Sequence, residues 1–136
     1  MKRLLLGAVL LTAACGGGST TTGPSPVEHG ILAGTWPGVI VVNGVSTPTT
    51  WTFQDMPNTA GHGYNTTVNT ALVASLSLLN ASLTGADFHA GGTYTSANGC
   101  SGVINAFGSG DAKRIDATFS AQSACDGVNG HLILLR

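Results

Sequence analysis

The groups able to do chemistry in this 136-residue chain are few: three cysteines, four histidines and six carboxylates. His29, His62, His89 and His131 are far apart and match no ligand spacing such as His-Glu-x-x-His, so no metal site is expected. Asp55, Asp87, Asp111, Asp116 and Asp126 fall mainly at turns, where an aspartate accepts hydrogen bonds from its own backbone. General acid–base work would need two of them to converge, and no spacing indicates it. Serines are abundant, but none sits in a Gly-x-Ser-x-Gly elbow, and Ser101, between Cys100 and Gly102, has no indicated base. The glycines form no phosphate-binding loop. The expectation is a protein without catalytic residues, metal or cofactor. Cys100 and Cys125 are an even pair. In an oxidising compartment their expected chemistry is a disulfide, with two free buried thiols as the alternative. Zinc is disfavoured, because no Cys or His stands near either at ligand spacing.

Cys15 belongs to a different pattern. Met1-Lys2-Arg3 is a short positive start, Leu4 to Ala14 is an eleven-residue run of apolar and small residues, and Gly16 to Pro26 contains only Gly, Ser, Thr and Pro. This is the anatomy of an export signal followed by a linker. Eleven residues at roughly 1.5 Å each fall well short of a hydrocarbon core of about 30 Å, so the run is not a membrane span. Leu11-Thr12-Ala13-Ala14-Cys15 resembles the lipobox of bacterial lipoproteins, with Thr12 where leucine is usual. The resemblance implies cleavage before Cys15, a diacylglycerol on its thiol and often an acyl chain such as palmitate on its new amine. Two or three chains give stable membrane anchoring. Gly16, in place of aspartate, implies the outer membrane of a bacterial cell envelope. An ordinary secretory signal that happens to hold a cysteine is the alternative. The expected organisation is a signal peptide over 1–14, a flexible Gly/Ser/Thr/Pro tether over 15–28, and one domain over 29–136.

That domain has about 108 residues, enough for a single core. Beyond residue 14 the chain keeps three basic residues (Lys113, Arg114 and Arg136) against the six acids, and no basic patch, so nucleic acid is not an expected partner. With so few charges, Thr, Ser, Asn and Gly must supply the surface. From Ile31 on, short β-rich runs alternate with turn signals.

Asn43-Gly44 between Gly34–Val42 and Val45–Phe53 predicts a β-hairpin. With those two residues as the loop, Val42 faces Val45 and Trp36 faces Trp51, so both tryptophans share a face. Pro37 and Pro48 cannot donate ladder bonds and require an edge or a bulge. A second hairpin is expected from Cys100–Gly108 and Arg114–Ala124 around Gly110-Asp111-Ala112-Lys113. If the cysteines stand opposite each other, Ala106 meets Phe119 and Gly110 meets Ile115. One face then gathers Cys100, Ile104, Ala106, Ile115, Ala117, Phe119, Ala121 and Cys125; the other is polar apart from Val103 and Phe107. That separation supports both the strands and the bridge. Cys125 to Gly130 reads as a turn cluster and His131 to Arg136 as a final strand. Ala71 to Leu83 fits a helical stripe (Leu72, Leu76, Leu79, Leu83) as well as strand alternation; its neighbours favour a strand, with a short helix as the alternative. Ala86 to Ser96 is expected to be another strand. The fold class is all-β, an antiparallel meander of seven or eight strands closed into a small barrel or folded into a sandwich, the barrel being the reading adopted.

Gly34-Thr35-Trp36 opens the first strand and Arg136 ends the last. This resembles the calycin arrangement of lipocalins and related small barrels. Avidin-type barrels also begin Gly-Thr-Trp, and small Gly/Thr-rich bacterial lipoproteins share the late cysteines and the Leu-Leu-Arg ending. The resemblance implies that Gly34, Trp36 and Arg136 close one end of the barrel, the arginine packing across the tryptophan. It implies a non-enzymatic binding module for a small apolar ligand near the other end, with Trp36, Trp51 and Phe53 as lining or floor. The expected partners are that ligand and, through the lipid on Cys15, the membrane. The domain is shorter than a typical lipocalin, and a small barrel can be filled by its own side chains. The alternative is therefore a structural or interaction lipoprotein with a filled core.

Overall fold

A computed structural model describes residues 30–56, 63–72, 75–125 and 127–136. Eight strands follow one another: β1 Gly34–Val42, β2 Val45–Asp55, β3 Gly63–Thr70, β4 Ser75–Thr84, β5 Asp87–Thr95, β6 Ser101–Gly110, β7 Arg114–Ser123 and β8 Gly127–Leu135. Each pairs antiparallel with the next, and β8 returns to β1, Gly38 against Leu134 through Val41 against His131, closing the barrel. The expected all-β meander is therefore borne out, as a barrel rather than a sandwich. Cys15, the tether, His29, His62 and Asp126 lie outside the described residues.

The first hairpin has the expected register, with Trp36 opposite Trp51 and Val42 opposite Val45. Asn43 and Gly44 both have positive φ, 50° and 79°, as a two-residue turn matched to the strand twist requires. The prolines need no bulge. A two-residue loop makes Val42 and Val45 a hydrogen-bonded pair, so Pro37 and Pro48 point their nitrogens away from each other's strand. The pairing of β1 with β8 starts at Gly38, and that of β2 with β3 at Thr49. Each proline sits one residue past a ladder's end, where no donor is missed.

The second hairpin also keeps its expected register, Ala106 against Phe119 and Gly110 against Ile115. The disulfide is present: Cys100 and Cys125 are bonded, with Cα atoms 6.2 Å apart. Both cysteines lie just outside the strands, at the rim; Cys100 is half-buried and Cys125 exposed, so they bolt the rim and do not belong to the core face. Two boundaries need correction. Gly110 belongs to β6, and the turn is Asp111 to Lys113, where Asp111 Oδ1 accepts from the Lys113 and Arg114 amides at 2.7 and 2.9 Å. The supposed turn cluster is mostly strand: β8 begins at Gly127 and pairs with β7 from Gln122 on. Of its two glycines, Gly127 has room for a side chain, whereas Gly130 stands where neighbours occupy the space. A Cβ on Gly130 would collide with the Val41 carbonyl oxygen and with the Phe119 ring.

Ala71 and Leu72 lie in a turn, Val73 and Ala74 lie outside the described residues, and β4 from Ser75 on carries a register shift between Ser77 and Asn80. One extra residue there switches the inward parity. Leu76 packs against the core from an even position, while Ala81 and Leu83 are buried from odd ones. The strand reading holds, and the change of parity is why alternation did not stand out over a helical stripe.

Candidate ligand-binding site

The two ends of the barrel differ. At one end lie the β2–β3, β4–β5 and β6–β7 connections, the segment entering at Gly30, and Arg136. Gly30 to Ala33 form a turn, the Ala33 amide donating to the Gly30 carbonyl at 2.9 Å. The turn inserts Leu32, fully buried, into the barrel's end. Polar groups hold this plug from every side. The Trp36 indole Nε1–H donates to the Leu32 carbonyl at 2.7 Å, and the Leu32 amide donates to the Tyr64 hydroxyl at 3.3 Å. The Gly30 amide donates to Asp55 Oδ1 at 3.0 Å, and Arg136 Nη1 donates to the Ile31 carbonyl at 3.1 Å. The Arg136 guanidinium lies 5.5 Å from the Trp36 ring centre, and its Nη2 is 3.2 Å from where a Cβ on Gly34 would stand. Gly34, Trp36 and Arg136 are thus brought together here. Behind the plug, Phe53 is the hub of an aromatic cluster. Its ring centre is 5.9 to 6.3 Å from those of Trp36, Trp51, Tyr64 and Phe88, three of the four in edge-to-face geometry. Burial, reinforced by nearby Asp55, raises the Tyr64 pKa above its ordinary value, although the Leu32 amide pulls the other way.

The opposite end carries the β1–β2, β3–β4, β5–β6 and β7–β8 turns and the disulfide. Here the interior is not filled. A cavity of about 180 Å³ is walled by Ile40, Val68, Tyr94, Ile104 and Phe119, with Trp51 below and Ser96 and Val128 near the rim. Of the three expected pocket residues, Trp51 lines this space, Phe53 lies beneath it, and Trp36 lies deeper still, in the sealed half. Larger depressions, one of about 710 Å³ around Phe107, Asp116 and His131, are shallow hollows on the outer wall.

Among the described residues, three buried side-chain polar atoms have no hydrogen-bond partner: Trp51 Nε1, Ser96 Oγ and Thr66 Oγ1. The first two belong to residues of the cavity wall. Among the described residues, the wall holds no carboxylate and no basic side chain. Among the described residues, no three His, Cys, Asp or Glu side chains gather closely enough to hold a metal ion. His89 lies on the outer wall with its ring edge-on to Phe107, 5.0 Å between centres.

Several of these residues escaped sequence reasoning. Leu32 precedes the first strand and carries no pattern. Tyr64 and Val68 lie on β3, a Thr/Asn-rich stretch, although the alternation Tyr64, Thr66, Val68 against Asn65, Thr67, Asn69 was readable. Ser96 was seen only as the end of a strand. The chain matches no protein-family model, no curated protein and no solved structure.

Proposed function

We propose that this protein is an envelope-anchored bacterial lipoprotein whose barrel binds a small apolar molecule without transforming it. The supporting observation is the asymmetry of the interior: one end plugged by Leu32 and an aromatic cluster, the other keeping an apolar cavity of about 180 Å³. A core selected only for stability would close such a space, because a void forfeits dispersion contacts and costs stability. A recess lined by apolar side chains with a few polar groups is the ordinary form of a ligand site. The Gly-x-Trp and arginine arrangement at the sealed end fits a calycin-like barrel. Anchoring through lipid on Cys15, in the outer membrane, follows from the lipobox-like Leu11 to Cys15. Native mass spectrometry of protein purified from its own envelope tests both parts. A retained small molecule is expected on the folded chain, and an acyl mass on a chain beginning at Cys15. Repeated preparations carrying acyl chains alone would favour the alternative, a structural lipoprotein of the envelope.

A further inference from the structure

We infer that this cavity selects its ligand by compactness: the occupant is a neutral, hydrocarbon-like molecule the size of one substituted ring, and an extended acyl chain is not its cargo. The inference rests on the proposed binding role and adds the size and polarity of the ligand. Three observations carry it. The first is volume. A dry apolar cavity of about 150 Å³ takes up benzene, so about 180 Å³ holds a single ring with one small substituent. The second is the floor. Trp51 lies below the space, Phe53 lies beneath it against Trp36, Tyr64 and Phe88, and Leu32 plugs the far end. An interior filled in this way leaves no tunnel along which a chain could run deeper. Carbons beyond the cavity's capacity stay at the mouth, in water, and add no burial. The third is polarity. Ile40, Val68, Ile104, Phe119 and Ala121 offer the ligand only hydrocarbon side chains. Trp51 Nε1 and Ser96 Oγ are buried with almost no accessible surface, so they are out of the ligand's reach. Among the described residues, the wall's other side-chain polar groups are the hydroxyls of Tyr94 and of Thr70, and Thr70 Oγ1 already accepts from the Leu72 amide at 3.4 Å. A charge carried inside would have no partner, and a hydroxyl would give up its water with little in return.

The test is a homologous series, benzene, toluene, ethylbenzene, butylbenzene and octylbenzene, titrated into the full chain held in lipid nanodiscs. Empty nanodiscs measure the share of each probe taken up by lipid. Dissociation constants, referred to free probe in water, are read by NMR from the Ile40 and Ile104 methyl signals. Affinity should rise about fourfold per carbon while added carbons still find space, as burial of a methylene predicts. It should level off near ethylbenzene, with octylbenzene no tighter. Phenol, the size of toluene, should bind about tenfold more weakly than toluene. Ala121→Leu should weaken toluene about tenfold, because its added carbons take the same space. An affinity that keeps climbing to octylbenzene would reveal a deeper or opening interior; the compactness inference would be wrong and the binding reading would stand. Phenol binding as tightly as toluene would overturn the polarity half alone. An unchanged toluene affinity in folded Ala121→Leu would put the probes elsewhere and count against both readings. If no probe moves the cavity methyls, the binding reading fails and takes the inference with it. The series on the native chain needs no variant, so it decides even if Ala121→Leu folds poorly.

Discussion

Gly130 has no room for a side chain, and its neighbours show the cost of giving it one. A methyl group there meets the Phe119 ring on one side and the Val41 carbonyl on the other, and the carbonyl is fixed by the barrel. Gly130→Ala is expected to lower stability by roughly 1–3 kcal/mol, the usual cost of overpacking, as a fall in the urea midpoint with the strand signal retained. The lone letter G could not reveal this, because a glycine next to an asparagine looks like a turn until the ring packed over it is known. Tyr64 gives a second prediction at this scale. Its pKa is raised above the ordinary 10.0, chiefly by burial. The neutral phenol is the form the fold prefers, so its contribution is intact below about pH 10 and is lost as pH climbs through the raised value. Urea midpoints taken between about pH 8 and pH 11.5 should fall for the native chain and flatten at the alkaline end for Tyr64→Phe. An equal alkaline loss in both would show that another group is responsible.

Hairpins carried the most readable information, because a two-residue turn fixes which side chains share a face. Asn43-Gly44 set the first register, and the two late cysteines set the second, where the apolar residues then fell on one side. β4 was obscure for a definite reason. Its extra residue changes parity within the strand, so no single period describes it. β3 was obscure because its inward positions include a threonine and its outward ones are uncharged, which blurs the contrast between faces. The disulfide ties the β5–β6 turn to the β7–β8 turn across a sequence separation of 25. Replacing both cysteines by serine is expected to cost about 3 kcal/mol on the chain-entropy account, measured by chemical unfolding. Because every strand still has two paired neighbours, the circular dichroism of the folded double variant should stay that of a β protein. A variant that lost its sheet signal altogether would mean the bridge is needed to form the barrel at all.

At the scale of the whole barrel, what the sequence hid was the division of the interior. Trp36, Trp51 and Phe53 all point inward, yet only Trp51 reaches the cavity, because the plug at Leu32 fills the space around the other two. Which inward residues end up packed and which end up lining a void depends on how eight strands stagger around the barrel, and that sum over all registers is not present in any one segment. Ala121→Leu, on the cavity wall, tests the division from the other side. The added carbons have empty space to enter, so stability should hold or rise by about 1 kcal/mol, while uptake of a small apolar probe such as cyclohexane, read by calorimetric titration, weakens. The plug has one more consequence. The chain enters at Gly30, through the sealed floor, and the fifteen residues back to Cys15 reach at most about 50 Å even when drawn out straight. If Cys15 carries the lipid proposed above, the tether joins the barrel at its sealed base, and the open lip is the end farther from the point of attachment. On that proposal, a ligand would reach the lip from the aqueous side.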